Sequence, residues 1–144
     1  MSEEVRDQST WWERARTLDL PSEPFIDGEY VSPLSEERFD CISPVDGKVL
    51  TKVASCDGQD VDRAVSAARR AFSAGVWSST PPRERKAVLR RFADLTRAHR
   101  EELALLETLD VGKPITSSLG DIDSAAEAVE WHAEGVDKIY GEVA

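Results

Sequence analysis

The chain has 144 residues, enough for one domain, and its 40% apolar and 32% charged residues are typical of a folded globular protein rather than a disordered one. No apolar run reaches the ~18 residues that cross a bilayer, and Ser2, Glu3 and Glu4 stand where a secretory signal would carry positive charge. Cys41 and Cys56 lack the spacing of a metal or redox motif. We therefore expect reduced thiols, a cytoplasmic location and no membrane partner.

The net charge of -10 is unevenly distributed along the chain. Residues 1–60 hold six basic and fourteen acidic residues, 61–100 hold ten and three, and 101–144 hold two and eleven. Within the basic segment, four side chains would share one side of a helix: Arg83, Lys86, Arg90 and Arg97. No aromatic residue lies among them to stack on bases, and the flanking segments are acidic. We expect a solvated helix face opposite an apolar stripe, and no nucleic-acid partner.

The first third of the chain predicts a short helix and two hairpins. Thr10 and Glu13 have the spacing of a capping box, and the helix that they would begin ends before Pro21. Short apolar runs at 25–26 and 30–31 flank Asp27-Gly28, which favours a tight turn. A second pair of runs, at 39–42 and 49–53, flanks a turn at 44–47.

The rest of the chain predicts four amphipathic helices. Asp57 and Asp60 resemble a capping box for the first, which ends at Gly75. Thr80 is expected to cap the second, and its apolar stripe contains Val88 and Phe92. The third runs from about 101 to 110 and ends at the Gly112-Lys113-Pro114 sequence. The last begins near Ser118 and carries an apolar stripe from Leu119 to Val136.

Few residues of the chain have a pattern that supports chemistry. The Gly112-Lys113 pair lacks the other residues of a phosphate-binding loop, and no two glycines have the spacing of a dinucleotide fingerprint. His132 has acidic neighbours but no second histidine or cysteine at helical spacing, so a helix-surface histidine is expected rather than a metal ligand. Cys41 and Cys56 have no base nearby in sequence. These residues alone predict no catalytic site.

A series of short phrases in fixed order resembles the start of the NAD(P)-dependent aldehyde dehydrogenase superfamily. The phrases are FIDGEYV (25–31), ISPVDG (42–47), DVDRAV (60–65), AAR (67–69), Trp77, RER (83–85), ADL (93–95), ETLDVGKP (107–114) and DKIYGEV (137–143). Three further segments, at 11–12, 105–110 and 131–134, are most similar to the branch that oxidises γ-glutamyl-aminobutyraldehyde in putrescine breakdown.

The resemblance implies an α/β fold in which short hairpins precede about four helices, without the complete Rossmann-like core. Residues 1–24 would form an arm with a short helix, and 25–144 an incomplete N-terminal part of the cofactor-binding domain. The family oxidises aldehydes with NAD or NADP through a cysteine thiohemiacetal and thioester, usually as a homo-oligomer. Its catalytic Cys, Asn and Glu lie downstream of the matched region. The segment alone is therefore expected to be inactive and to bind no cofactor.

The resemblance assigns few site residues to this chain. Some members bind a monovalent cation through main-chain oxygens and a carboxylate, at positions that match Cys41, Ile42 and Asp110, although Asp110 could equally cap or pair near a helix end. The last helix resembles one that borders the aldehyde channel, so Ser124 is a candidate contact for substrate. The alternative hypothesis is a non-catalytic helical interaction module derived from the same N-terminus.

Overall fold

The computed structural model describes residues 7–138, in which two antiparallel hairpins are followed by a series of helices. The elements in chain order are α1 (Gln8–Thr17), β1 (Phe25–Ile26), β2 (Glu29–Tyr30), β3 (Arg38–Ile42), β4 (Val49–Ala54), α2 (Gly58–Ser73), α3 (Pro82–Ala98), α4 (Arg100–Val111) and α5 (Ile115–Gly135). The predicted order of hairpins and then four helices is confirmed.

The two hairpins form where the turn residues predict them. Asp27 and Gly28 connect β1 to β2 with φ values of 57° and 89°, and two positive φ values are what a tight primed turn requires. In the second hairpin Cys41 pairs with Thr51 and Ile42 with Val49, so Leu50 is an extra residue in the ladder. Such a bulge bends the strand and disrupts the pairing locally.

Helix α2 begins with the predicted capping box. The Asp57 carboxylate accepts hydrogen bonds from the backbone N–H groups of Gln59 and Asp60, at 2.8 and 3.2 Å, while the Asp60 carboxylate accepts one from the N–H of Asp57. Asp60 is 1% exposed and also accepts the N–H of Leu34, at 3.2 Å from each carboxylate oxygen. One buried carboxylate therefore joins the segment between the hairpins to the start of α2.

Small side chains form most of the core within the described residues. The buried apolar residues are Ala54, Ala67, Ala93, Ala104, Leu105, Ala126 and Ala133. Helix α5 packs along both α3 and α4, and alanines at these contacts allow close approach of the helices. Large apolar side chains elsewhere are left exposed, including Phe72 at 83%.

Three predicted helix starts are wrong by a few residues. Asp7, not Thr10, precedes α1, and its carbonyl accepts the N–H of Thr10. Thr80 does not cap α3, because its hydroxyl donates to the carbonyl of Val76 and Pro81 occupies the cap position. Helix α5 begins at Ile115 rather than Ser118, since the carbonyl of Pro114 accepts the N–H groups of Ser117 and Ser118.

The end of α5 also differs from the prediction. The apolar stripe predicts a helix that continues until Gly141, whereas α5 ends at Gly135 with Val136 at its C-cap. Residues 139–144, including Tyr140 and Gly141, lie outside the described residues. The apolar stripe of α5 is largely covered by α3 and α4, with Ala126 and Ala133 fully buried.

Candidate functional site

Two of the three residues predicted for a cation site come into contact. The Cys41 Sγ lies 3.9 Å from the Asp110 Oδ1, although 69 positions separate these residues in sequence. Ile42 follows Cys41 at the bulge of the second hairpin and is exposed, as is Asp110. The fold therefore places β3 beside the C-terminal end of α4.

The contact between Gly112 and Pro44 holds these two elements together. Gly112 ends α4 in the left-handed conformation, with φ of 78°. A Cβ atom at this position would lie 2.9 Å from the Cγ of Pro44, closer than carbon atoms approach without a clash. Glycine is thus required twice, for the sign of φ and for the approach of the turn that follows β3.

The end of α4 is a favourable place for positive charge. The last turn of α4 contains Asp110 and no basic residue, and helix C-termini carry a partial negative charge from unpaired carbonyl groups. Among residues 7–138 no three His, Cys, Asp or Glu side chains are grouped as a metal site of that kind would need. Any cation held here would depend on main-chain oxygens in addition to Asp110.

Ser124 lies on the exposed side of α5, where the resemblance predicts a substrate contact. Its hydroxyl donates to the carbonyl of Gly120, at 2.9 Å, one turn earlier in the same helix. That hydrogen bond occupies the donor of the side chain, so Ser124 presents a small surface with a remaining acceptor. Nothing lies within 4 Å of the position that a Cβ at Gly120 would occupy, which leaves this side of α5 open.

The basic side of α3 does not face solvent as predicted, because it packs against α5. Lys86 is only 19% exposed and its Nζ lies 2.8 Å from Glu134 and 3.6 Å from Asp137. Arg90 also pairs with Glu134, and Arg97 with Glu130, each at 2.5 Å. The acidic residues around His132 are therefore partners of α3, and His132 itself is an exposed residue whose ring contacts Trp131.

These pairs shift the pKa values of the groups that form them. The hydrogen bond from Lys86 lowers the pKa of Glu134, and the same bond raises the pKa of Lys86. Arg100 lowers the pKa of Asp123 on α5 through two hydrogen bonds, at 2.6 and 2.7 Å. Because the charged forms are stabilised in the fold, protonation of these carboxylates weakens the contact of α5 with α3 and α4.

We expect the chain to lose thermal stability in acid through these carboxylates. A lowered pKa contributes stability that is present above the unfolded value, about 4 for Asp and Glu, and is lost as pH falls through the folded value. Lys86→Met should therefore flatten the fall of Tm between neutral pH and about pH 3. Lys52→Met, which removes an exposed pair with Asp40 in the second hairpin, is the matched control. Equal slopes in the two variants would contradict this role of Lys86.

An apolar cleft beneath α1 was not predicted from the sequence. Its volume is about 600 Å³, and its apolar walls come from α1, α4 and the start of α5: Trp11, Trp12, Ala15, Leu105, Leu109, Ile115 and Leu119. Arg14 of α1 pairs with Glu101 of α4 at the cleft. The paired tryptophans were the available signal, but the opposite wall is almost a hundred residues away.

The described residues do not fit a dinucleotide cofactor. Both sheets are two-stranded and antiparallel, so no carboxyl edge of a parallel sheet is present within residues 7–138. The connection from β4 to α2 is Ser55-Cys56-Asp57, with no glycine-rich loop that would admit a pyrophosphate. No step of a hydride transfer is assigned to these residues. None of their helices combines the length and apolar character that crossing a bilayer requires.

Comparison with known proteins identifies the family. Residues 30–144 match the model of the aldehyde dehydrogenase family. The chain is 51% identical over 135 residues to the Escherichia coli K12 protein named NADP/NAD-dependent aldehyde dehydrogenase PuuC, covering 93% of this chain and 27% of that protein. It is 46% identical over 131 residues to an aminoacetaldehyde dehydrogenase of Pseudomonas aeruginosa, covering 90% and 26%. The chain belongs to the aldehyde dehydrogenase family.

Solved structures of the family share the fold. The γ-glutamyl-γ-aminobutyraldehyde dehydrogenase of Burkholderia cenocepacia superposes with a TM-score of 0.91 at 52% identity, covering 94% of this chain and 28% of that one. An indole-3-acetaldehyde dehydrogenase superposes with a TM-score of 0.90 at 55% identity, covering 94% and 31%. The predicted α/β architecture, the N-terminal part of the aldehyde dehydrogenase fold, is confirmed. The chain spans roughly a quarter of the length of the curated relatives.

Proposed function

We propose that this chain is the N-terminal segment of a cytoplasmic enzyme that oxidises an aldehyde to a carboxylic acid with NAD(P)+ and that is inactive without the remainder. Residues 1–24 would be the arm, and 25–144 part of the cofactor-binding domain. The remainder would supply the cysteine that forms the thiohemiacetal and thioester. The observation that carries the proposal is the family match over residues 30–144 together with the absence of a chemically competent cluster among residues 7–138.

The exposed apolar face of α2 supports the presence of a larger body against it. Val61, Val65 and Phe72 lie on one side of α2 and are 55%, 52% and 83% exposed. The opposite side packs on the hairpins through Asp60 and Ala67, which are both buried. Covering three large side chains of this kind stabilises a protein by roughly 1.5–3 kcal/mol each. The free alternative, a helical interaction module, would need a partner for the same surface.

The aldehyde is proposed only as a class. Relatives of similar identity are named for γ-glutamyl-γ-aminobutyraldehyde, for aminoacetaldehyde and for indole-3-acetaldehyde. Because these three aldehydes differ in charge and bulk, the segment itself does not select among them. An aldehyde carried on an amine-derived or aromatic side chain is the common chemistry, and Ser124 on the open side of α5 is the proposed contact.

A monovalent cation at the end of α4 is a further part of the proposal. Asp110 and main-chain oxygens near Cys41 and Ile42 would hold it, and the partial negative charge of the helix end supports the site. The test compares Tm in potassium chloride and choline chloride at equal ionic strength. The stabilisation by potassium should disappear in Asp110→Asn, and an unchanged response would rule out a cation at this position.

A chimera tests the proposed activity. The matched region of the Escherichia coli K12 relative, 51% identical, is replaced by this chain, and reduction of NAD+ is followed with several aldehydes. We expect kcat/KM within about tenfold of the parent, since a tenfold change corresponds to 1.36 kcal/mol of barrier. The 144-residue chain alone should reduce no NAD+ above the buffer rate.

Two outcomes would contradict the proposal. One is reduction of NAD+ by the isolated chain, which would require a catalytic group within it. The other is a chimera that has the oligomeric state and melting temperature of the parent but oxidises none of the aldehydes.

A further inference from the structure

The exposed side of α3 has the composition of a protein interface. Val88 and Phe92 are 55% and 56% exposed, and Leu95 extends the same apolar stripe. Arg85 and Arg91 lie three residues before and three residues after Val88, so each borders the stripe on the helix surface. An apolar centre with arginine at its edge is typical of protein–protein contacts. We call Arg85, Val88, Arg91, Phe92 and Leu95 the α3 face.

Both arginines of the α3 face lack a partner within residues 7–138. The neighbouring basic residues Lys86, Arg90 and Arg97 are all paired with acids of α5, but Arg85 and Arg91 form no hydrogen bond or ion pair with a described residue. The Nε of Arg85 is shielded from solvent and has no acceptor among those residues. A shielded donor without an acceptor costs free energy, which an incoming carboxylate would recover.

A surface of opposite charge lies on the other side of the sequence. Between the hairpins, Leu34 and Phe39 are 52% and 55% exposed. Glu36 and Glu37 lie between them, are exposed, and have side chains that pair with no described residue. The one basic residue here, Arg38, is occupied by Glu23. Residues 34–39, the acidic segment, therefore offer apolar contact and two unpaired carboxylates.

We propose that the α3 face of one chain docks on the acidic segment of a second copy of the chain. The two surfaces match in kind, because each has exposed apolar side chains and two unpaired charges of opposite sign. The pairing explains why unpaired cations remain on α3 after α5 has neutralised the others. This inference goes beyond the proposed function and does not depend on catalysis.

Charge reversal on each surface tests the docking. Arg85→Glu with Arg91→Glu makes the α3 face acidic, and Glu36→Lys with Glu37→Lys makes the acidic segment basic. By light scattering, the unmodified 144-residue chain should have twice the 15.9 kDa mass and dissociate as salt is raised. Each reversed variant should dissociate at least about tenfold more readily, because like charges then meet.

Mixing the two reversed variants gives the decisive result. In the mixed pair both contacts again join opposite charges, so dimers should reappear although neither variant dimerises alone. Arg83→Glu, on α3 but outside the α3 face, is the matched control and should leave the dimer unchanged. A monomeric unmodified chain, or a dimer indifferent to the reversals, overturns the proposal.

A crosslink in the chimera does not require the chain to fold alone. Chimeras carrying Val88→Cys and Phe39→Cys, each with Cys41→Ser and Cys56→Ser, are mixed and oxidised. We expect a disulfide-linked pair of chains absent from a chimera without the introduced cysteines. No linked pair would mean that another part of the enzyme covers the α3 face, and the proposal fails.

Discussion

Asp60→Ala should lower the free energy of unfolding by about 3 kcal/mol, because a buried carboxylate that accepts several hydrogen bonds is lost. The substitution leaves the N–H groups of Leu34 and Asp57 without their acceptor and removes the partner of Arg63, 3.2 Å away. These groups join the segment between the hairpins to α2, so both elements should loosen together. Urea unfolding followed by circular dichroism measures the effect.

Two controls separate the hydrogen bonds of Asp60 from its charge. Asp62→Ala removes an exposed carboxylate two residues later in the same helix and should change stability by no more than about 0.5 kcal/mol. Asp60→Asn keeps one acceptor oxygen and should have an intermediate effect. If Asp60→Ala were as mild as Asp62→Ala, the anchoring role assigned to this carboxylate would be wrong.

Gly112→Ala should destabilise the chain by about 2–4 kcal/mol, through two separate costs. The left-handed conformation, with φ of 78°, disfavours any residue that has a Cβ atom. The new methyl group would also stand 2.9 Å from the Cγ of Pro44 and push the turn away from α4. Separation of these elements would move Cys41 away from Asp110, so the stabilisation by potassium should weaken as well.

Gly47→Ala isolates the backbone cost. Gly47 has φ of 71°, and nothing lies within 4 Å of the position that a Cβ would occupy there, so only the conformational cost of about 1–2 kcal/mol applies. In the background of Pro44→Ala, the substitution at Gly112 should become milder, since the ring that it meets is gone. Equal losses for Gly47→Ala and Gly112→Ala would show that the contact with Pro44 contributes nothing.

Local signals predicted the elements that local chemistry decides. The Asp27-Gly28 turn and the capping box of Asp57 and Asp60 depend on residues only a few positions apart, and both are present as predicted. The Gly112-Lys113-Pro114 sequence correctly ended α4. The start of α5 was missed because Pro114 supplies a carbonyl at once, so the same short sequence ends one helix and begins the next.

Contacts between distant segments could not be predicted in this way. The stripe of Val88 and Phe92 suggested that this side of α3 is buried, but the structure buries Lys86 and Ala93 against α5 instead. Helical periodicity shows that a helix has two sides, and here the acids of α5 decide which side it covers. The proximity of Cys41 to Asp110 likewise came from the family resemblance, since no spacing relates residues 69 positions apart.

The intact mass of the natural protein decides between an enzyme segment and a free interaction module. Antibodies raised against residues 1–144 would capture the protein from its own cells for mass spectrometry. Because the chain spans 27% of the Escherichia coli relative, we expect a mass roughly three to four times 15.9 kDa. A natural product of 15.9 kDa would contradict the proposed enzyme segment and favour the helical interaction module.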